Sequence, residues 1–330
     1  MAELTYRQAL HDTLREELLR DENVFLLGEE IGTFEGSYKI TAGLLKEFGP
    51  RRIVDTPIAE NGFVGMATGA AMLGLRPIVE IMTINFILLA MDEIVNHAAK
   101  IYSMFGGQTS VPMVIRTPGG GGQQLAATHS QNLEVWFAHV PGLKVVAPAT
   151  PADAKGLLRS AVRDNNPVIF LENLGLYNMK GEIPDGDYTI PFGKANVMKE
   201  GTDLTIISYS QMASVALSVA EELQKEHGLN IEVVDIRSLR PLDKETLVQS
   251  VKKTNRAVIF EYDWRSYGIG AEVAAMLQEE AFDYLDAPIK RVASAEIPLP
   301  YSKPLEMAAL AGPQQLADTI LELAPRRRRA

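Results

Sequence analysis

The chain has no cysteine among its 330 residues, which excludes disulfides, thiolate metal sites and a catalytic thiol and agrees with a reducing compartment. It also lacks an unbroken apolar run. The most apolar window, Pro77 to Val95, is interrupted by Glu80, Asn85 and Asp92, so no membrane span is expected. The first residues, MAELTYRQALHDTLREELLRDE, have neither the apolar centre of a signal peptide nor the acid-poor composition of an organelle-targeting peptide. They read as an amphipathic helix, and the expectation is a cytoplasmic protein. An excess of basic charge is missing as well: the formal net charge is −10, and Lys and Arg are dispersed over most of the chain, which argues against nucleic acid as a partner. Short solenoid repeats and low-complexity segments are absent.

What is present is the composition of a globular protein, 46% hydrophobic and 22% charged, in a chain longer than one core usually fills. Strand-like apolar runs alternate with helical patterns, the signature of a parallel sheet covered on both faces. Strands are expected at Val24–Leu27, Ile53–Asp55, Ile78–Ile81, Met113–Arg116, Lys144–Val146 and Val168–Glu172, and helices near Thr5–Leu19, Gly62–Leu73, Phe86–Tyr102 and Pro151–Asp164. After a stretch crowded with Gly, Pro and Asp, a second alternation begins. Its strands are Leu204–Ser208, Ile231–Asp235, Ala257–Tyr262 and Ile289–Val292, with helices near Met212–His227, Lys244–Thr254 and Ile269–Phe282. The reading is an α/β protein with a parallel-sheet domain over 1–185, a linker over 186–202, a smaller α/β domain over 203–325 and a basic tail over 326–330.

One carboxylate stands out. In Asp55-Thr-Pro-Ile-Ala-Glu60-Asn-Gly, Glu60 lies at the turn between a short strand and the nearly uncharged, small-residue segment GFVGMATGAAMLGL, so it shares a low-dielectric setting. Burying an acid is costly unless it finds a partner or gives up its charge. Glu60 is therefore either a reagent or a helix-start carboxylate capping free N–H groups. The run Gly119–Gly122 suggests a phosphate cradle, but no Gly-Lys-Ser/Thr follows it, and a flexible turn is the better reading. Gly268-Ile-Gly270 lacks the third glycine of a dinucleotide fingerprint. Of the histidines, His11, His97 and His227 read as structural or solvent-facing, and His139 as packed beside aromatics. His129 differs because it falls in a loop, ATHSQ, between two expected strands; imidazole there can move protons near neutral pH, or can simply make backbone hydrogen bonds.

Taken together, DTPIAENGFVG at 55–65, MTINF at 82–86, THSQ at 128–131, PGLKVVAP at 141–148, RDNNPVIFLEN at 163–173 and DIRSLRPLD at 235–243 carry a resemblance over nearly the whole chain. They look like the β subunits of thiamine-diphosphate-dependent 2-oxoacid dehydrogenases, the decarboxylating component of pyruvate dehydrogenase in particular. The resemblance implies a pyrimidine-binding-type domain followed by a transketolase C-terminal-like domain. Glu60 matches the acid that bonds a ring nitrogen of the cofactor's aminopyrimidine, Phe86 the aromatic that stacks on that ring, and His129 the histidine that assists substrate handling and acyl transfer to lipoamide. Ile58 and Met82 belong with Glu60 and Phe86 at the cofactor. Met113, Ala161, Val162, Asp164 and Asn166 match positions that enclose a potassium ion, largely through carbonyls; capping of a helix end explains Asp164 and Asn166 equally well.

Thiamine enzymes of the kind this resemblance implies hold the diphosphate through a divalent metal gripped by a Gly-Asp-Gly segment. This chain has none, since Gly186-Asp187 is followed by Tyr188. The resemblance therefore implies an α subunit that holds the Mg2+, an α2β2 heterotetramer, and docking of the dihydrolipoyl acyltransferase component, with pyruvate as substrate. Branched-chain 2-oxoacid or acetoin dehydrogenase is the alternative within the family. Outside it stand a self-sufficient transketolase-like enzyme, disfavoured by the missing metal motif, and a noncatalytic assembly subunit in which Glu60 is only a cap.

Overall fold

The computed structural model describes residues 2–324; the Arg326–Arg329 tail lies outside the described residues. The chain forms two compact units, one of residues up to Gly119 with Trp136–Phe192, the other of Gly120–Val135 with the chain from Gly193 onward.

In the first unit, β1 (Ala2–Thr5) leads into α1 (Tyr6–Arg20), where Thr5 and Gln8 form a reciprocal capping box. Tyr6, Leu10, Leu14 and Leu18, four apart, are all buried, giving α1 one apolar stripe. There follow β2 (Val24–Gly28), α2 (Leu44–Phe48), β3 (Ile53–Asp55), α3 (Glu60–Met72), β4 (Arg76–Glu80), α4 (Ala99–Met104), β5 (Val114–Gly119), α5 (Glu134–Ala138), β6 (Lys144–Val146), α6 (Pro151–Arg163), β7 (Val168–Asn173) and β8 (Lys180–Ile183). The strands pair in parallel in the order β6–β7–β5–β4–β2–β3. Chain order moves outward from β2 to β3 and then returns across β2 to β4. Ligands of such sheets gather beyond the carboxyl ends of the strands at that reversal.

The single helix expected over Phe86–Tyr102 is instead three pieces: a 3₁₀ turn at Phe86–Ala90, a π turn at Glu93–Ala98, and α4. The π turn includes Glu93, whose carboxylate lies 3.1 Å from where a Cβ on Gly65 of α3 would stand, so the Glu93 side chain rests directly on the α3 backbone there. β1 and β8 form a separate antiparallel ribbon. No periodicity in four residues each could reveal that pairing.

The second unit holds β9 (Asn196–Lys199), β10 (Leu204–Ser208), α7 (Ser210–His227), β11 (Ile231–Asp235), β12 (Ser238–Arg240), α8 (Lys244–Thr254), β13 (Ala257–Trp264), α9 (Ile269–Ala281), β14 (Lys290–Ser294), α10 (Lys303–Ala309) and α11 (Pro313–Leu323). Its five-stranded sheet runs β14–β13–β10–β11–β9, parallel except for β9 at the edge. Leu204, Ile206, Ile231, Val233, Val258 and Phe260 form its buried middle. Both sheets carry helices between parallel strands, the α/β architecture.

Candidate active site

The carboxyl ends of β2, β3 and β4 are tied together before any reactive group is placed. Asp55, closing β3, accepts the N–H groups of Gly32 (2.6 Å) and Thr33 (2.9 Å) from the loop after β2, and Thr56 donates its N–H to the Gly28 carbonyl at 3.0 Å. Partial burial works against the charge of Asp55, but the Thr33 and Gly32 donors outweigh it and hold the carboxyl below its usual range. Gly28 has to be glycine: a Cβ there would lie 2.5 Å from the Glu80 carbonyl oxygen of β4.

On this platform Glu60 opens α3. It is 3% exposed, and the N-cap position just before it is Ala59, which makes no side-chain cap hydrogen bond. Across from it, Glu29 follows β2, also buried, with Oε1 lacking a hydrogen-bond partner. Burial first, then the charges of Glu60 and Glu30, push the Glu29 carboxyl above its ordinary value. Among the described residues no cation pairs with either acid. Two buried acids with no counter-charge beside them are suited to take hydrogen bonds from, and exchange protons with, something brought to them. Glu29 escaped the sequence reading; the signal available was its place, one residue beyond an apolar strand ending in Gly.

The neighbouring acids are answered. Arg116, 1% exposed on β5, grips Glu172 of β7 with Nε–Oε1 at 2.8 Å and Nη2–Oε2 at 2.9 Å, and its Nη1 pairs with Glu80 of β4. Tyr177 donates its hydroxyl to Glu172 at 2.7 Å. Burial pushes the Glu172 carboxyl up, partly offset by Arg116. This satisfied network braces the sheet end, and its completeness is what sets Glu29 and Glu60 apart.

Of the remaining residues expected at the cofactor, Met82 and Phe86 are half-buried after β4, in a loop pinned by the Ile84 N–H to the Pro118 carbonyl at 2.8 Å. Ile58, in the loop before Glu60, is 83% exposed. An apolar side chain so exposed beside two buried acids leaves a surface for an apolar ring or a partner chain.

His129 is held by the second unit. The segment Gly120–Val135 packs there, a placement the strand and helix pattern does not reveal. His129 is exposed, ends a 3₁₀ turn at Ala127–His129, and has Nδ1 3.0 Å from Thr128 Oγ1. Glu306 accepts the Gly122 and Gln124 N–H groups at 2.9 and 3.0 Å, and the Tyr209 hydroxyl donates to Glu134 at 2.8 Å. The glycine run is a turn, as the missing Lys-Ser/Thr implies, yet it is fastened rather than loose. Glu134 lies among Tyr209, Glu261 and Asp263: burial pushes Glu134 up to about 6, and burial together with Glu134 pushes Asp263 up to about 9.

The expected cation positions lie at the end of α6 and the start of β7 and β5. The Val162 and Asp164 carbonyls accept from Arg76 Nε (2.9 Å) and Nη2 (2.5 Å). The Met113 carbonyl accepts from the Val168 N–H at 2.9 Å and that of Ala161 from the Asp164 N–H at 3.3 Å. The Asp164 carboxylate pairs with Lys144 and accepts the Asn166 N–H at 2.8 Å. Each carbonyl keeps a second lone pair, while the Arg76 guanidinium and the Lys144 ammonium already bring positive charge to this oxygen set.

With this geometry in view, comparison with known proteins is decisive. Residues 2–180 match the transketolase pyrimidine-binding domain and residues 193–316 the transketolase C-terminal domain. The pyruvate dehydrogenase E1 component subunit beta of Rickettsia felis is 49% identical over 318 residues, covering 96% of this chain and 97% of that protein. The mitochondrial subunit beta of Dictyostelium discoideum is also 49% identical, covering 96% and 90%. The chain belongs to the pyruvate dehydrogenase E1 subunit beta family. Membership places it among the thiamine diphosphate enzymes and makes it one half of an α/β pair. The fold itself recurs in a solved split-gene transketolase, described as an inactive β4 tetramer (TM-score 0.80, 24% identity, 97% and 98% coverage), and in transketolase from Leishmania mexicana (TM-score 0.73, 16% identity, 98% of this chain and 46% of that one). Among the described residues, no helix is long and apolar enough to cross a membrane.

Proposed function

We propose that the chain is the β subunit of an E1 component that decarboxylates pyruvate and passes the acetyl group to lipoamide, working in an α2β2 heterotetramer in the cytoplasm. The observation that carries this reading is the pair of buried acids, Glu29 and Glu60, with no counter-charge beside them. Thiamine diphosphate, when bound, supplies a nucleophilic carbon and an electron sink for loss of carbon dioxide. Glu60 is the residue that would hold the aminopyrimidine, its buried carboxyl group placed to hydrogen-bond a ring nitrogen and to hold or give up a proton there. Phe86 offers its face to the ring, and Met82 and Ile58 close the apolar side. His129 handles protons of the substrate and in acyl transfer.

The diphosphate and its Mg2+ fall to the α subunit, because no Gly-Asp-Gly is present here. The smaller domain, 203–325, joined to domain 1–185 through 186–202, docks the dihydrolipoyl acyltransferase. Potassium at Met113, Ala161, Val162, Asp164 and Asn166 braces the end of α6; a melting temperature that rises with K+ but not with equal Na+ checks this, and equal rises speak against it.

The reading is tested with Glu60→Gln in a complex reconstituted with the α subunit. Decarboxylation of pyruvate is expected to fall by about 10²–10⁴, with assembly and melting temperature retained; a near-normal rate would make Glu60 a bystander. Branched-chain oxoacids as better substrates than pyruvate would shift the assignment to the sister enzymes.

A further inference from the structure

We infer that Glu306 is a positioning residue: its carboxylate fixes the loop that carries His129. The inference rests on the role given to His129 above, and on geometry confined to the second unit.

Glu306 is 0% exposed. Its two oxygens take one backbone donor each, Oε1 from Gly122 at 2.9 Å and Oε2 from Gln124 at 3.0 Å. Among the described residues no Lys, Arg or His forms an ion pair with it, so these two amides are what compensates its burial. A buried carboxylate needs such donors, and charge-assisted bonds of this kind are the strong ones. The dependence runs both ways. The backbone that presents the donors of residues 122 and 124 to one carboxylate turns unusually: φ is +94° at Gly120, +91° at Gly122, +58° at Gln124 and +64° at Ala126. Gln124 and Ala126 are not glycine, and a left-handed conformation at such residues persists only where the surroundings impose it.

The apolar contacts agree. A Cβ on Gly121 would lie 2.5 Å from Leu299 Cδ1 and 3.0 Å from Leu310 Cδ2, so the loop backbone is seated directly on the residues flanking α10. Beyond the clamp, Ala127–His129 forms its turn and the His129 N–H donates to the Ala126 carbonyl at 3.2 Å. Only four residues separate Gln124 from His129, too few to dissipate a change in the anchor. Past His129, Asn132 Nδ2 reaches the Tyr262 carbonyl at 3.3 Å, and Tyr209 holds Glu134. The histidine is thus carried on an arch fastened at both ends, and Glu306 is the fastening on its near side.

Glu306→Gln is nearly isosteric but turns an NH2 toward an N–H, so one clamp bond is lost. Glu306→Asp keeps both acceptors on a shorter arm and covers the case in which Gln impairs folding. Hydrogen exchange on the full chain assembled with its α subunit is the first readout. Amides 122–131 are expected to exchange at least about tenfold faster in Glu306→Gln, with β10, β11 and β13 unchanged and Asp intermediate. Unchanged exchange in the loop overturns the inference.

The second readout is acetyl transfer to a lipoyl domain. Glu306→Gln is expected to slow it about tenfold, and to add no further loss when combined with His129→Ala. Losses that multiply in the double variant would mean that Glu306 does not act through His129, which overturns the positioning role. If His129→Ala alone leaves transfer intact while the loop loosens in Glu306→Gln, the role of His129 fails and the anchor stands.

Discussion

Burial without compensation is what separates Glu29 and Glu60 from every other acid at the sheet end. Asp55 has two amide donors, and Glu172 and Glu80 have Arg116. A raised carboxyl such as Glu29 keeps its proton in the folded chain at pH values where the unfolded chain has released it. Its stability contribution is therefore complete below about 4.3, the ordinary glutamate value, and is lost as pH rises toward the raised one. Glu29→Gln removes that loss: melting temperatures followed across pH are expected to show a shallower decline for the variant, and an unaltered slope would mean that Glu29 is not held in its raised state. Glu60 was legible as a residue because a lone acid precedes a small-residue helix. Its choice between cap and reagent was not, since both place an acid at the first turn of α3.

At the scale of elements, every long alternation read from the sequence is present within a few residues, because period and length survive in strands such as β7 and helices such as α7. The departures have physical causes. The helix expected from Phe86 breaks into 3₁₀, π and α pieces, and a helical pattern of apolar residues cannot register a change of pitch. The sixteen residues of Gly120–Val135 join the second unit through two bonds to Glu306 and one each to Tyr262 and Tyr209, distant in sequence and without period. Close approach is likewise invisible in composition. Gly28→Ala would drive a methyl against the Glu80 carbonyl at 2.5 Å, and a loss of about 1–3 kcal/mol is expected from chemical denaturation; a neutral change would show that β2 and β4 can part there without cost.

For the whole molecule, each unit carries a carboxyl raised by burial, Glu29 in the first and Asp263 in the second. Asp263 in the second unit is raised to about 9, by burial and then by Glu134. Between the ordinary carboxylate pKa, about 3.9, and that value, the native chain binds a proton that the unfolded chain lacks, so stability falls as pH rises through the window. Asp263→Asn is expected to flatten that fall in a pH series of melting curves; a parallel decline in the variant would assign it to other groups. What no single chain could make legible is the other half of its site. The missing Gly-Asp-Gly pointed to a partner, and family membership supplies it.

The account depends most on Glu60 acting on the bound cofactor rather than on its surroundings. The direct measurement is the rate at which the thiazolium carbon of thiamine diphosphate exchanges its proton with deuterated water in the α/β complex. Glu60→Gln is expected to slow that exchange by about 10²-fold or more while the cofactor stays bound; exchange at the unaltered rate, with the cofactor in place, would contradict it.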